Sequence, residues 1–149
     1  MDVLLDTSFL IPILIKSDKT DRAREFFINS DFDLGISVAV MEETMFVGLK
    51  LLAAERIGLY VTEKIRKHIK EKGYDFASDF LKNLKEIIDQ IEVVEDVGDF
   101  SLITNIATEY GLMPNDALIV ATCKHYGIKK IATFDEDFER VDFLEIVEP

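Results

Sequence analysis

Short apolar runs alternate with helical patterns from one end of this chain to the other, and that alternation restricts the fold more than any other feature. Val3-Leu4-Leu5 comes first and is closed by Asp6-Thr7-Ser8, which reads as a strand running into a helix cap. Residues 33–37, the β-branched stretch 91–95, residues 129–133 and residues 144–147 read as four more strands. Between them, Ala23, Phe26 and Phe27 recur at helical spacing, and a long helical pattern runs through Val40, Val47, Leu51 and Leu52. Residues 61–72 end at Gly73, and residues 74–90 carry Phe76, Phe80, Leu84, Ile87 and Ile88 on one helical face. Asp99 caps a pattern that Gly111 ends, and Pro114-Asn115-Asp116 opens another that runs to Gly127. Strands separated by helices predict an α/β fold with a mostly parallel central sheet of about five strands, flanked by helices. No Pro/Gly/Ser-rich linker divides the 149 residues, so one domain over 1–149 is expected, with a helical segment at about 57–90.

Composition removes several kinds of chemistry. The single cysteine, Cys123, forms no internal disulfide and no Cys-based zinc site, and His68 and His125 are too scattered for a His-rich one. The seven glycines never cluster into a phosphate-cradling loop, and no serine stands in Gly-x-Ser-x-Gly. The longest apolar run, Phe9–Ile15, is far short of the roughly 20 residues of a spanning helix. The first residues carry acids where a secretory leader needs Lys or Arg, so a cytoplasmic protein without membrane association is expected. A net charge of −12 argues against a generic nucleic-acid coat but not against a nuclease, because metal-holding carboxylates enter the same sum.

Those acids fall in telling places. Ligands of open parallel sheets bind beyond the carboxyl ends of the strands. Asp6 ends the first strand, Asp135 and Asp137 follow the strand that closes at Thr133, and Asp116 lies in the first turn of the helix opened by Pro114. Glu42 and Glu43 start the helix after Ser37, where adjacent positions diverge and only one faces the crevice. Taken singly, each is an ordinary cap or turn acid. Together they bring four segments of carboxylate oxygens to one sheet edge, a donor set suited to Mg²⁺ or Mn²⁺.

The blocks that carry these acids resemble the PIN-domain nucleases of the VapC type, from Leu4 to Val147. They are Leu5-Asp6-Thr7-Ser8-Phe9-Leu10, then Ile36-Ser37 followed by Val40-Met41-Glu42-Glu43, then Pro114-Asn115-Asp116-Ala117-Leu118-Ile119-Val120-Ala121-Thr122. The closing block is Ile131-Ala132-Thr133-Phe134-Asp135-Glu136-Asp137-Phe138. The resemblance implies Mg²⁺- or Mn²⁺-dependent hydrolysis of RNA. It makes Asp6, Glu43, Asp116 and Asp135 the catalytic metal ligands, with Glu42 the alternative to Glu43, Asp137 a further acid, and Thr7 and Thr133 supporting hydroxyls. Asp6 and Asp116 are expected at the centre of that set. Phe134 stands where the family often has a polar residue, so a polar contact beside the site is expected to be missing. The alternative is a domain of the same fold that has lost turnover and serves as an RNA- or protein-binding module. A phosphatase of the haloacid-dehalogenase kind needs an acid two residues after Asp6, where Ser8 stands.

Five Lys/Arg against two Glu in residues 61–72 read either as an arm for an RNA backbone or as a solvated helix face. The apolar positions of the two helices over 61–90 suggest a homodimer surface, and the toxin resemblance implies an antitoxin protein as partner.

Overall fold

The computed structural model describes residues 1–149. Five parallel strands form one sheet: β1 (Val3–Leu5), β2 (Leu34–Ser37), β3 (Glu92–Val94), β4 (Lys130–Ala132) and β5 (Glu145–Val147). Their spatial order is β3-β2-β1-β4-β5. Seven helices connect and flank them: α1 (Thr7–Leu14), α2 (Thr20–Asn29), α3 (Val38–Ile57), α4 (Thr62–Lys72), α5 (Ser78–Ile88), α6 (Phe100–Tyr110) and α7 (Pro114–Tyr126). The expected architecture is present, with β1 as expected and the other four strands one or two residues shorter than their expected runs. The stretch expected as one helix over 74–90 begins instead with a 3₁₀ turn at Asp75–Ala77 before α5.

β1 is central, with Leu4 in register with Gly35 of β2 on one side and Ile131 of β4 on the other. Val3, Leu4 and Leu5 are wholly buried, as a strand covered on both faces must be. Gly35 is needed for the β2–β3 approach, because a Cβ there would lie 2.7 Å from the Glu92 carbonyl oxygen. The chain leaves β1 toward β2 on one side and later returns as β4 on the other. The C-terminal ends of β1 and β4 therefore flank a switch point, where open parallel sheets form a crevice.

The caps follow the side chains. Asp6 and Ser37 cap α1 and α3, and Asp99 caps α6 by accepting from the Leu102 N–H at 3.0 Å. Gly58, Gly111 and Gly127 end α3, α6 and α7 in the left-handed region. Pro12, late in α1, holds the next helix: its carbonyl accepts from the Thr20 hydroxyl at 2.6 Å.

The main core lies between the sheet and its helices, around Phe9, Leu10, Ile36, Ile119, Ile131 and Phe138. A second, smaller cluster holds Leu49 and Leu52 of α3 against Ala77, Phe80 and Leu84. The apolar face of the 74–90 stretch thus packs against α3 of the same chain. Phe80 sits directly over Gly48, where a Cβ would lie 2.0 Å from the ring. No helix is long and apolar enough to cross a membrane.

Candidate functional site

Asp6 leaves β1 and turns into α1, and its carboxylate does both jobs of that turn. Its Oδ2 accepts from the Ser8 N–H at 3.3 Å, from Ser8 Oγ at 2.8 Å and from Thr133 Oγ1 at 2.9 Å. Only 4% of the residue is exposed, and burial pushes its carboxyl pKa upward against the pull of those bonds. All three bonds fall on Oδ2, which leaves Oδ1 outside this network.

Ser8 is the joint between the two strands. Its hydroxyl lies 2.9 Å from that of Thr133 and accepts from the Phe134 N–H at 2.9 Å. Thr133 Oγ1 in turn accepts from the Asp135 N–H at 2.9 Å, and Asp135 Oδ1 accepts from the Asp137 N–H at 2.9 Å. That last bond caps a 3₁₀ turn over Glu136–Arg140. At Phe134, where the family often has a polar side chain, the main-chain amide donates to Ser8 and the ring packs against Phe9.

Glu43 lies in the second turn of α3, and Thr7 Oγ1 donates to its Oε2 at 2.6 Å. Thr44 Oγ1 donates to Thr7 at 3.2 Å, so two buried hydroxyls fix the carboxylate. Glu42 points to solvent, outside the cleft lining. Asp116 stands in the first turn of α7, half-buried, with Pro114 starting the helix. Its carboxyl is pushed up to about 6, first by burial and then by the charges of Asp6, Asp135, Glu43 and Asp137.

Asp6, Thr7, Ser8, Glu43, Asp116 and Asp135 line one open cleft of about 400 Å³. Carboxylate oxygens of Asp116, Asp135 and Asp137 lie within 4.8 Å of one another. Asp116 links this grouping to Asp6, which lines the same cleft and whose charge acts on the Asp116 carboxyl. Asp137 is held from outside by Arg140, which also donates to the Gly111 carbonyl at 2.9 Å. Several carboxylates this close repel one another unless a proton or a cation intervenes. All-oxygen donors of this kind fit Mg²⁺ or Mn²⁺.

The basic helix α4 contributes nothing to this lining. Its Lys and Arg side chains are exposed, and Arg66 and Lys67 meet Glu63 and Glu71 at 3.4 and 4.0 Å along the same helix. Sequence reasoning missed Ser8 and Arg140 as supports, although Ser8 stands two residues after Asp6 and Arg140 three after Asp137. Ser8→Ala removes one bond from Asp6 and the acceptor of the Phe134 amide. Outer-shell losses of this kind cost about 10–100-fold in metal affinity. We expect that range in a Mn²⁺ titration followed by calorimetry; an unchanged affinity would remove Ser8 from the supporting network.

The same arrangement of segments is found in known proteins. Ribonuclease VapC6 of Methanocaldococcus jannaschii is 32% identical over 153 aligned residues, covering 98% of this chain and 96% of that protein. Ribonuclease VapC2 of the same organism is 33% identical over 147, covering 98% and 93%. Among solved structures, DNA-bound VapBC from Salmonella typhimurium superimposes with a TM-score of 0.64 at 21% identity, covering 99% of this chain and 98% of that one. The family model described as PIN domain matches residues 3–144. That span starts in β1 and runs past Arg140, so it takes in every segment that brings an acid to the cleft. The chain belongs to the PIN-domain family.

Proposed function

We propose that this chain is a Mg²⁺- or Mn²⁺-dependent endoribonuclease, the toxin of a toxin–antitoxin pair, acting in the cytoplasm. The observation that carries this reading is the meeting of Asp6, Glu43, Asp116 and Asp135 in one open cleft, with Asp137 oxygens within 4.8 Å of those of Asp116 and Asp135. The two relatives named as ribonucleases support RNA as the substrate. The VapBC neighbour supports a protein partner of the antitoxin kind, and exposed Leu51, Tyr60 and Val61 support a homodimer.

Asp6, Glu43, Asp116, Asp135 and Asp137 are the residues we assign to the ion. When bound, it supplies charge neutralisation at the scissile phosphate and a water of lowered pKa. Ser8 and Thr133 hold the Asp6 carboxylate by one oxygen, and Thr7 with Thr44 holds Glu43, so the carboxylates meet the substrate already oriented. No side-chain nucleophile is needed. Cys123 is wholly buried and its thiol is pushed up to about 12, so it stays protonated.

The test is cleavage of a mixed panel of structured and single-stranded RNAs with Mn²⁺, Mg²⁺ or EDTA. Cleavage with either ion and none in EDTA is expected. Ion-dependent stabilisation without cleavage of any RNA would favour the binding module, and neither effect would sink the site.

A further inference from the structure

The cleft lining holds one cation among its acids, Lys19, from the turn between α1 and α2. Its ammonium lies 5.0 Å from the centre of the Phe134 ring, and the guanidinium of Arg22 lies 5.3 Å from the same ring. Phe134 is itself stacked on Phe9, with centroids 6.3 Å apart and planes 17° from parallel. Two cations are thus seated on an aromatic shelf immediately between Thr133 and Asp135. Neither forms an ion pair within 4.0 Å, in a protein of net charge −12 whose Arg140 is engaged with Asp137 and whose Arg24, also on α2, donates to the Ile13 carbonyl at 3.0 Å.

We infer that Lys19 and Arg22, seated on Phe134, form a phosphate-gripping lip that holds the RNA strand beside the scissile bond. This rests on the ribonuclease reading above. A polyanion entering an acidic cleft needs local positive charge to offset repulsion, and this is the cationic pair at its mouth. Cation–π seating limits the freedom of both side chains before the strand arrives, which lowers the cost of gripping it. Lys19 lines the cleft itself, and Arg22 lines the neighbouring recess on the other side of Phe134, which also carries Glu136, Glu139 and Glu148. The aromatic residue at position 134 then has a use that a polar one there would not serve.

The experiment measures Mn²⁺-dependent cleavage of a short single-stranded RNA across a series of NaCl concentrations. It compares wild type, Lys19→Ala/Arg22→Ala and the α4 control Lys67→Ala/Lys70→Ala. For the lip variant we expect KM to rise roughly tenfold with kcat little changed, since uniform binding is lost. Its salt slope flattens by about 1.4, at about 0.7 per phosphate contact on a single strand. The α4 control matches wild type, and Lys19→Arg/Arg22→Lys restores most of the KM. A lip variant with wild-type KM and slope overturns the proposal while leaving the nuclease reading intact. Wild-type protein that cleaves no RNA overturns both. Because Arg22 is exposed and Lys19 lies outside the buried core, melting temperatures should match. If the double variant melts early, Lys19→Gln alone decides.

Discussion

Asp116→Asn is expected to lower kcat/KM for RNA cleavage by roughly a thousandfold or more. A bound divalent ion contributes several kcal/mol of charge stabilisation, and each 1.36 kcal/mol is worth a factor of ten. The same substitution stabilises the metal-free protein at neutral pH. The Asp116 carboxyl titrates near 6 in the folded chain against 3.8 as its ordinary value, so between those values the folded state holds a proton that the unfolded state has released. Stability therefore rises as the pH falls from above 6 toward 3.8, and the charged carboxylate is a full penalty at pH 7. Discounted for its half-exposed position, that penalty is about 1 kcal/mol, or roughly 2–4 °C in melting temperature. Melts in EDTA should show Asp116→Asn above wild type at pH 7.5 and level with it near pH 4. A variant that melts lower at pH 7.5 would mean that the neighbouring acids do not strain this carboxyl.

Phe80→Ala lowers the melting temperature by about 10 °C. The ring is 2% exposed and fills the space that Gly48 leaves on α3, against Leu49, Leu52 and Leu84. Truncating a buried Phe costs roughly 3–5 kcal/mol, because the cavity collapses only in part. Gly48→Ala fails from the other direction, since its Cβ has no room until the ring moves. Cleavage per folded molecule at 25 °C should survive Phe80→Ala, as none of the cleft acids belongs to this cluster. A loss of less than about 1 kcal/mol by urea unfolding would show that the second cluster is loosely packed.

The sheet was legible because local and global signals agree. Val3–Leu5 is apolar at every position because it is covered on both faces, and Asp6, Ser37 and Asp99 mark helix starts that their own side chains then cap. The acids were legible for a related reason, since each follows a strand or opens a helix on the same edge. What stayed hidden depends on contacts between distant segments. Glu42 and Glu43 are equivalent on paper, and Thr7, across the cleft on α1, makes the difference. The Ser8 joint needs the β1–β4 register, and the closeness of Asp137 to Asp116 needs the 3₁₀ turn that Arg140 ties to the end of α6. The partner of the α5 apolar face is equally a tertiary fact, since periodicity gives a face but not what covers it.

The Thr133 hydroxyl donates to Asp6 across 127 positions of sequence, and β1 finds its β4 neighbour only across the same distance. Contacts so remote along the backbone close late, after the intervening loop entropy has been overcome. A polypeptide emerging from the ribosome presents Asp6, then Glu43, then Asp116, yet Asp6 lacks Thr133 and Asp116 lacks Asp135 and Asp137 until synthesis has passed all three. A growing chain is thereby without a complete acidic centre until β4 and the turn after it have been made.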